Sequence, residues 1–277
     1  MLRTAWNQAY TLWSQIATSA VPGSGFDYHE TRMPEARPIS LTDAFLEWFR
    51  EQSRRGMTRA ITCSFALLWE FALDSLPSRR RQRYGDVDYD WDYRVDTTGA
   101  TVGWRDRLLG MLHSPYQPTE PALFHEMLDS LKVDFSDFTF IDIGSGKGRT
   151  LLMASDYPFR KILGVELLPE LHRVAQENIV KYKSDSQKCF AIESVCGDAR
   201  SFVFPPGPLV IYLFNPLPAA GLTKLLTELH ASLSQQPRTI FLIYQNPILK
   251  EILKALSWLE EIDGTHQFIV FRADIRP

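Results

Sequence analysis

The chain has 277 residues, a formal net charge of -3, and 45% hydrophobic against 23% charged residues. These are ordinary values for a globular protein with a full core, and the weak negative balance excludes a strong overall field that would favour nucleic acid or an anionic membrane. Three cysteines, Cys63, Cys189 and Cys196, show no CxxC spacing, which argues for reduced thiols in a cytoplasmic protein rather than a disulfide framework or a metal site. No charged segment followed by a continuous apolar run opens the sequence, so no signal peptide is expected. Ala60 to Leu76, the most apolar early stretch, carries Glu70 and Asp74 and is too short to span a bilayer.

Residues 1–83 read as a non-repeating helical region. Trp6, Tyr10, Trp13 and Ala17 form one apolar stripe. Residues 21–40, with Val-Pro-Gly-Ser-Gly, Pro34 and Pro38, read as a loop. Leu41, Phe45, Trp48 and Phe49 form a second stripe behind a helix start at Ser40 and Asp43. Ile61, Phe65, Leu68, Trp69 and Ala72 form a third. Stripes of this kind are expected to pack on a neighbouring domain. The basic run Ser78–Arg83 is followed at once by acids, so a nucleic-acid role is not expected.

Asp86, Asp88, Asp90 and Asp92 alternate with Val87, Tyr89, Trp91 and Tyr93. A period of two predicts an extended strand with acids on one face and apolar groups on the other. That strand is either an edge whose charges deter aggregation or an acidic rim for a cationic substrate. It is not a calcium loop, because Trp91 stands where the sixth-position glycine belongs and Thr97 where the twelfth-position glutamate belongs.

Pro118 and Thr119, in Ser114–Leu128, fit a loop that caps a helix. From Phe138 onward, strands and helices alternate. Strands are predicted over 138–143, 161–166, 190–196, 209–214 and 239–244. Helices are predicted over 148–155, 169–183, 219–233 and 247–256, and 259–262 with 267–272 reads as a closing hairpin. This predicts an α/β fold, a doubly wound, mostly parallel seven-stranded Rossmann-like sheet with an N-terminal helical extension. Ligands of such sheets bind outside the carboxyl ends of the strands.

The first of these strands runs into FIDIGSGKGRT, Phe140–Thr150. A phosphate-binding P-loop is excluded, since Ile141 occupies the position of its first glycine and Gly148 follows Lys147. A dinucleotide fingerprint is broken at Arg149. What remains is Asp142 followed by Gly144, Ser145, Gly146 and Gly148, either a tight structural turn or a ligand loop. Glu166 ends the second strand, next to Leu167, and Asp198 with Ala199 follows the third. A carboxylate at the second strand end can accept ribose hydroxyls, whereas Asp198 also suits a helix cap. The fourth strand, in VIYLFNPLP, stops on Asn215 and Pro216. None of the six histidines falls at metal-binding spacing, and no metal is expected.

Asp142 followed by GxGxG resembles the first motif of class I S-adenosylmethionine (SAM)-dependent methyltransferases. The resemblance covers roughly 84–277, taken as the methyltransferase domain, and is nearest to a bacterial group of that class. It implies that Asp142 and the loop residues Gly144, Ser145, Gly146 and Gly148 hold the methionyl part of SAM, that Glu166 and Leu167 hold the ribose, and that Asp198 and Ala199 hold the adenine. Tyr-x-Pro-Thr at Tyr116, Pro118 and Thr119 is similar to a segment of certain seven-strand protein-lysine methyltransferases, including those acting on an ATP synthase subunit, that reaches over bound SAM. Asn215-Pro216 resembles the (Asp/Asn)-Pro-Pro-aromatic motif of amino-methylating enzymes, in which the amide receives the target amine. Here Leu217 and Pro218 replace the second proline and the aromatic, so stacking on a planar base is not implied. The expected acceptor is an amine, either a protein lysine or a small molecule. The alternatives are an O-methyltransferase of a small molecule and a non-catalytic SAM-binding or assembly factor.

Overall fold

The computed structural model describes residues 40–54, 56–74, 87–98, 108 and 117–274. The stripe at Trp6–Ala17, the loop 21–39, the basic run Ser78–Arg83, Asp86 and Tyr116 lie outside the described residues. Two helices come first, α1 (Leu41–Ser53) and α2 (Met57–Asp74). They pack on each other through Leu41, Ala44, Trp48 and Leu67, and this small cluster reaches Leu168 of the sheet domain. The third apolar stripe departs from expectation. Ile61, Phe65, Leu68 and Trp69 stand exposed rather than packed on a neighbouring domain, while Ala60 on the other side of α2 is fully buried.

The acidic alternation is a helix, α3 (Val87–Tyr93), not a strand. Helical spacing brings Tyr89 and Tyr93 onto one face, with ring centroids 4.7 Å apart, and Tyr93 meets Tyr182 at 5.1 Å. Asp88 and Asp90 sit in the first turn, where a helix favours negative charge. The acids therefore do not share a face. Asp88 and Asp92 are exposed, whereas Asp90 turns inward and accepts from the amides of Thr97 at 2.8 Å and Thr98 at 2.9 Å. Trp91, expected on the apolar side, is exposed.

The rest alternates as read. The elements are α4 (Pro121–Asp129), β1 (Thr139–Ile143), α5 (Arg149–Ala154), β2 (Lys161–Glu166), α6 (Pro169–Lys181), β3 (Ile192–Cys196), β4 (Leu209–Leu213), α7 (Ala219–Gln235), β5 (Thr239–Gln245), α8 (Lys250–Lys254), β6 (Glu260–Gly264) and β7 (Phe268–Asp274). One seven-stranded sheet has the order β3-β2-β1-β4-β5-β7-β6. The first five strands are parallel. β7 runs antiparallel between β5 and β6, so the predicted hairpin closes the sheet.

Alternation along each strand divides the core in two. Phe140, Ile162, Val210, Tyr212 and Ile243 face α4 and α5 through Phe124, Met127, Leu128, Leu151 and Leu152. Ile141, Ile143, Ile211, Leu213 and Leu242 face the leucine stripe of α7, Leu222, Leu225, Leu226, Leu229 and Leu233. Each leucine removed from water contributes about 1.5–3 kcal/mol. The strand order reverses between β1 and β4, whose carboxyl ends carry the glycine loop and Asn215, so these two features meet at the switch point of the sheet.

Candidate functional site at the carboxyl ends of the strands

Gly144, Gly146 and Gly148 have φ of 85°, 54° and 83°, left-handed values that side chains rarely adopt. Gly144 and Ser145 donate their amides to the carbonyl of Val165 at 2.8 and 3.1 Å, which hooks the loop onto the end of β2. A Cβ on Gly144 would lie 2.6 Å from Cβ of Pro216. Glycine here lets the loop touch the Asn-Pro turn, and Pro216 is packing against it. Ser145 Oγ is buried and has no hydrogen-bond partner among the described residues.

Two buried carboxylates flank the loop. Glu166 accepts from the Gly146 amide at 2.7 Å on one oxygen and from the Leu168 amide at 2.8 Å on the other. Burial raises its pKa, offset in part by these backbone donors and by that of Leu167. Asp142 accepts from the Thr150 hydroxyl. Its pKa is pushed up from the usual 3.8 to about 7, chiefly by burial, with Thr150 opposing and the charge of Glu166 adding to the rise. The two acids are thus held in a dry site where their negative charge is costly without a cation.

The cations of the same loop turn away from it. Lys147 is buried, with Nζ donating to Asp96 at 2.7 Å and to the Thr98 carbonyl at 2.8 Å. The Arg149 guanidinium lies 4.3 Å from the centroid of the Tyr89 ring. A loop meant for phosphate presents its lysine to the ligand; this one presents backbone and carboxylates. Among the described residues, an orphaned buried hydroxyl, a cradle closed by Gly144 against Pro216, and two acids that no cation pairs with fit a ligand that carries positive charge and hydroxyl donors, as SAM does.

Thr119 is buried and does not cap α4, whose N-cap is Glu120. Its hydroxyl meets that of Tyr212 at 2.7 Å. The Tyr212 hydroxyl donates to Gln245, so Thr119 must be the donor of the pair. Burial, and then the Asp142 charge, raise the Tyr212 pKa, so this phenol stays protonated. Pro118 beside it is half-buried.

Asp198 is the N-cap of a short 3-10 turn, Ala199–Ser201, and the capping alternative describes its geometry. Arg200 engages both carboxylate oxygens through its side chain and donates its amide at 2.8 Å. Burial raises the Asp198 pKa, yet Arg200 holds it below the usual value overall. Ala199 is buried.

Asn215 differs most from what the motif implied. Its side chain is tied internally rather than directed at an acceptor. Tyr244 donates its hydroxyl to Oδ1 at 2.6 Å, and Nδ2 donates to the Asn246 carbonyl at 2.6 Å. The assignment is chemically forced, because a carbonyl can only accept and the Tyr244 oxygen already accepts from the Leu249 amide at 3.2 Å. Asn215 and Asn246 both sit at positive φ, 46° and 49°, each before a proline. Two adjacent strands therefore end in twin Asn-Pro turns, stitched together by one amide. Asn246-Pro247 was visible in the sequence and is the signal that could have pointed to this pairing; the partners of Lys147 and Thr119 are too remote in sequence to read.

No family model matches the chain. A protein-lysine N-methyltransferase from Saccharolobus islandicus is 39% identical over 70 residues, covering 25% of this chain and 43% of that protein, so the chain matches less than half the length of that relative. Among solved structures, an RNA methyltransferase from Salinibacter ruber in complex with S-adenosylhomocysteine is 21% identical, covers 57% of this chain and 93% of its own, and superposes with a TM-score of 0.37. A TehB-like SAM-dependent methyltransferase from Corynebacterium glutamicum is 15% identical, covers 58% and 90%, and gives 0.40.

Proposed function

We propose that this protein is a SAM-dependent methyltransferase whose acceptor is an amine, with a protein lysine side chain preferred. The observation that carries the reading is the charge arrangement at the glycine loop. Two buried carboxylates, Asp142 and Glu166, border it, while Lys147 and Arg149 are turned away. The lysine preference rests on the stretch shared with the protein-lysine N-methyltransferase.

In this reading the loop backbone at Gly144–Gly148 and the Asp142 carboxylate hold the methionyl end. Glu166 keeps acceptor capacity for a ribose hydroxyl beyond that used by the amides of Gly146, Leu167 and Leu168. Leu167, Asp198 and Ala199 border the adenine, and Tyr116, Pro118 and Thr119 cover the cofactor. When bound, SAM supplies an electrophilic methyl group on a sulfonium that is already a good leaving group. The chain's task is to align the acceptor and exclude water. For an amine it must also present the neutral form, by desolvation or by a proton acceptor, while the Asn215-Pro216 turn would supply carbonyl hydrogen-bond acceptors for its N–H groups.

The test is methyl transfer from radiolabelled SAM into a lysate separated into protein, RNA and small-molecule fractions. Label in protein, recovered as methyl-lysine, supports the proposal. Label in small molecules alone as methyl ethers or esters would replace it with O-methylation. Cofactor binding without label in any fraction would leave a non-catalytic SAM-binding factor.

A further inference from the structure

The glycine loop is fastened on its outer side by a segment that none of its motifs includes. Lys147 is 1% exposed and reaches Asp96 Oδ1 and the Thr98 carbonyl. Asn178 of α6, also buried, closes the fastening from below. Its Oδ1 accepts from the Asp96 amide at 2.9 Å, while its Nδ2 donates to the Asp96 carbonyl at 2.7 Å and to the Lys147 carbonyl at 2.9 Å. Asp90 holds the amides of Thr97 and Thr98, and Arg149 lies over Tyr89 on the same segment. Residues 87–98 thus form a strap bound to the loop at Lys147 and Arg149.

A buried lysine is a poor way to gain stability, because desolvation offsets most of the attraction to its partner. It does fix geometry. A loop with three left-handed glycines has many conformations open to it, so contacts outside the loop must select one. On the inner side that contact is Glu166 with the Gly146 amide; on the outer side it is the strap.

We propose that Lys147, Asp96 and Asn178 are positioning residues for the cofactor loop, and that the 87–98 strap is thermodynamically coupled to SAM binding. The inference rests on the SAM-binding reading above. Coupling is reciprocal: a strap that favours the binding form of the loop is itself held by the ligand to the same degree. The Asp96→Asn variant takes away the carboxylate that Lys147 Nζ contacts, and Lys147→Met removes the other half of the pair.

The experiment combines calorimetric SAM titration of wild type, Asp96→Asn, Lys147→Met and the double variant with hydrogen exchange on the wild type. Each single change is expected to weaken SAM about tenfold at unchanged circular dichroism, and the double variant to weaken it no more than the worse single. Exchange at the amides of 96–98 is expected to slow by roughly tenfold on saturation with SAM. The exchange arm needs no variant and decides the question even if the variants fail to fold. Folded variants with SAM affinity within about twofold of wild type, or unchanged exchange at 96–98, overturn the inference while leaving SAM binding intact. Absence of SAM binding by the wild type removes the parent reading and this one with it.

Discussion

If Asp142 faces SAM as proposed, cofactor affinity depends on pH in the direction set by its raised pKa. Its pKa is raised to about 7, so near neutral pH the carboxyl is only partly ionised. The ionised form attracts a cationic ligand; the neutral form does not. If only the ionised form binds, the apparent Kd equals the intrinsic Kd divided by the ionised fraction. That fraction is about 0.09 at pH 6 and about 0.76 at pH 7.5, so SAM should bind about eightfold more tightly at the higher pH, roughly 1.3 kcal/mol. At pH 7.5 an α-amino group, whose ordinary pKa is about 7.7–8.0, is still mostly protonated, so the rise keeps its sign. Calorimetric titrations at both pH values, repeated on Asp142→Asn, provide the assay. The variant should bind weakly at both, with the eightfold slope gone. The unliganded protein carries the opposite sign. A carboxyl with a raised folded pKa contributes stability that is fully present below 3.8 and lost as pH rises through about 7, so the thermal midpoint should fall across that interval and SAM should restore it. A wild-type affinity that is flat from about pH 6 to about pH 7.5 would refute the reasoning.

Three further outcomes follow from particular contacts. Asn215→Asp keeps an acceptor for Tyr244 but sets a carboxylate oxygen against the Asn246 carbonyl, so it should cost about 1–3 kcal/mol in chemical denaturation and reduce methyl transfer about tenfold or more. Wild-type turnover in that variant would instead mark the amide as a direct acceptor contact, since Asp receives an amine as well as Asn does. Tyr244→Phe should resemble it more mildly, because it leaves Oδ1 of Asn215 and the Leu249 amide unpaired. Leu226→Ala, in the buried stripe of α7, should lower the unfolding free energy by about 2–5 kcal/mol while leaving SAM affinity unchanged in the protein that remains folded.

The sheet was readable because parallel strands covered on both faces appear as continuous apolar runs. TFIDI, LVIYL and TIFLIYQ are buried almost throughout. Glu166 was readable for the same reason, since it closes the run KILGVE; Asp142 lies inside β1, and Asp198 follows a strand, IESVC, that is mostly half-buried. Residues 87–93 misled because so short an alternation also contains an i, i+4 pair that fits one helical face. Tyr89 and Tyr93 are four apart, and the packing of Tyr93 on Tyr182 outweighed the period of two. The side-chain roles were the least legible. Whether Asn215 faces a substrate or its own chain depends on Tyr244 and Asn246, about thirty residues later, and the partner of Lys147 lies about fifty residues earlier, before α4 and β1. Thr119 fitted a cap by residue type but instead donates to Tyr212, from a strand that sequence spacing does not bring near it.

One titration tests the glycine loop as a SAM site most directly: SAM into the purified 277-residue chain at about pH 7.5, beside Gly144→Ala. At position 144 a Cβ would lie 2.6 Å from Pro216 at a φ of 85°, a strain of about 1–3 kcal/mol placed in the loop itself. The account predicts one SAM per wild-type chain, displaced by S-adenosylhomocysteine, and an affinity at least about tenfold weaker in a folded Gly144→Ala. No binding by the wild type at about 1 mM SAM, or equal affinity in the two proteins, would contradict it.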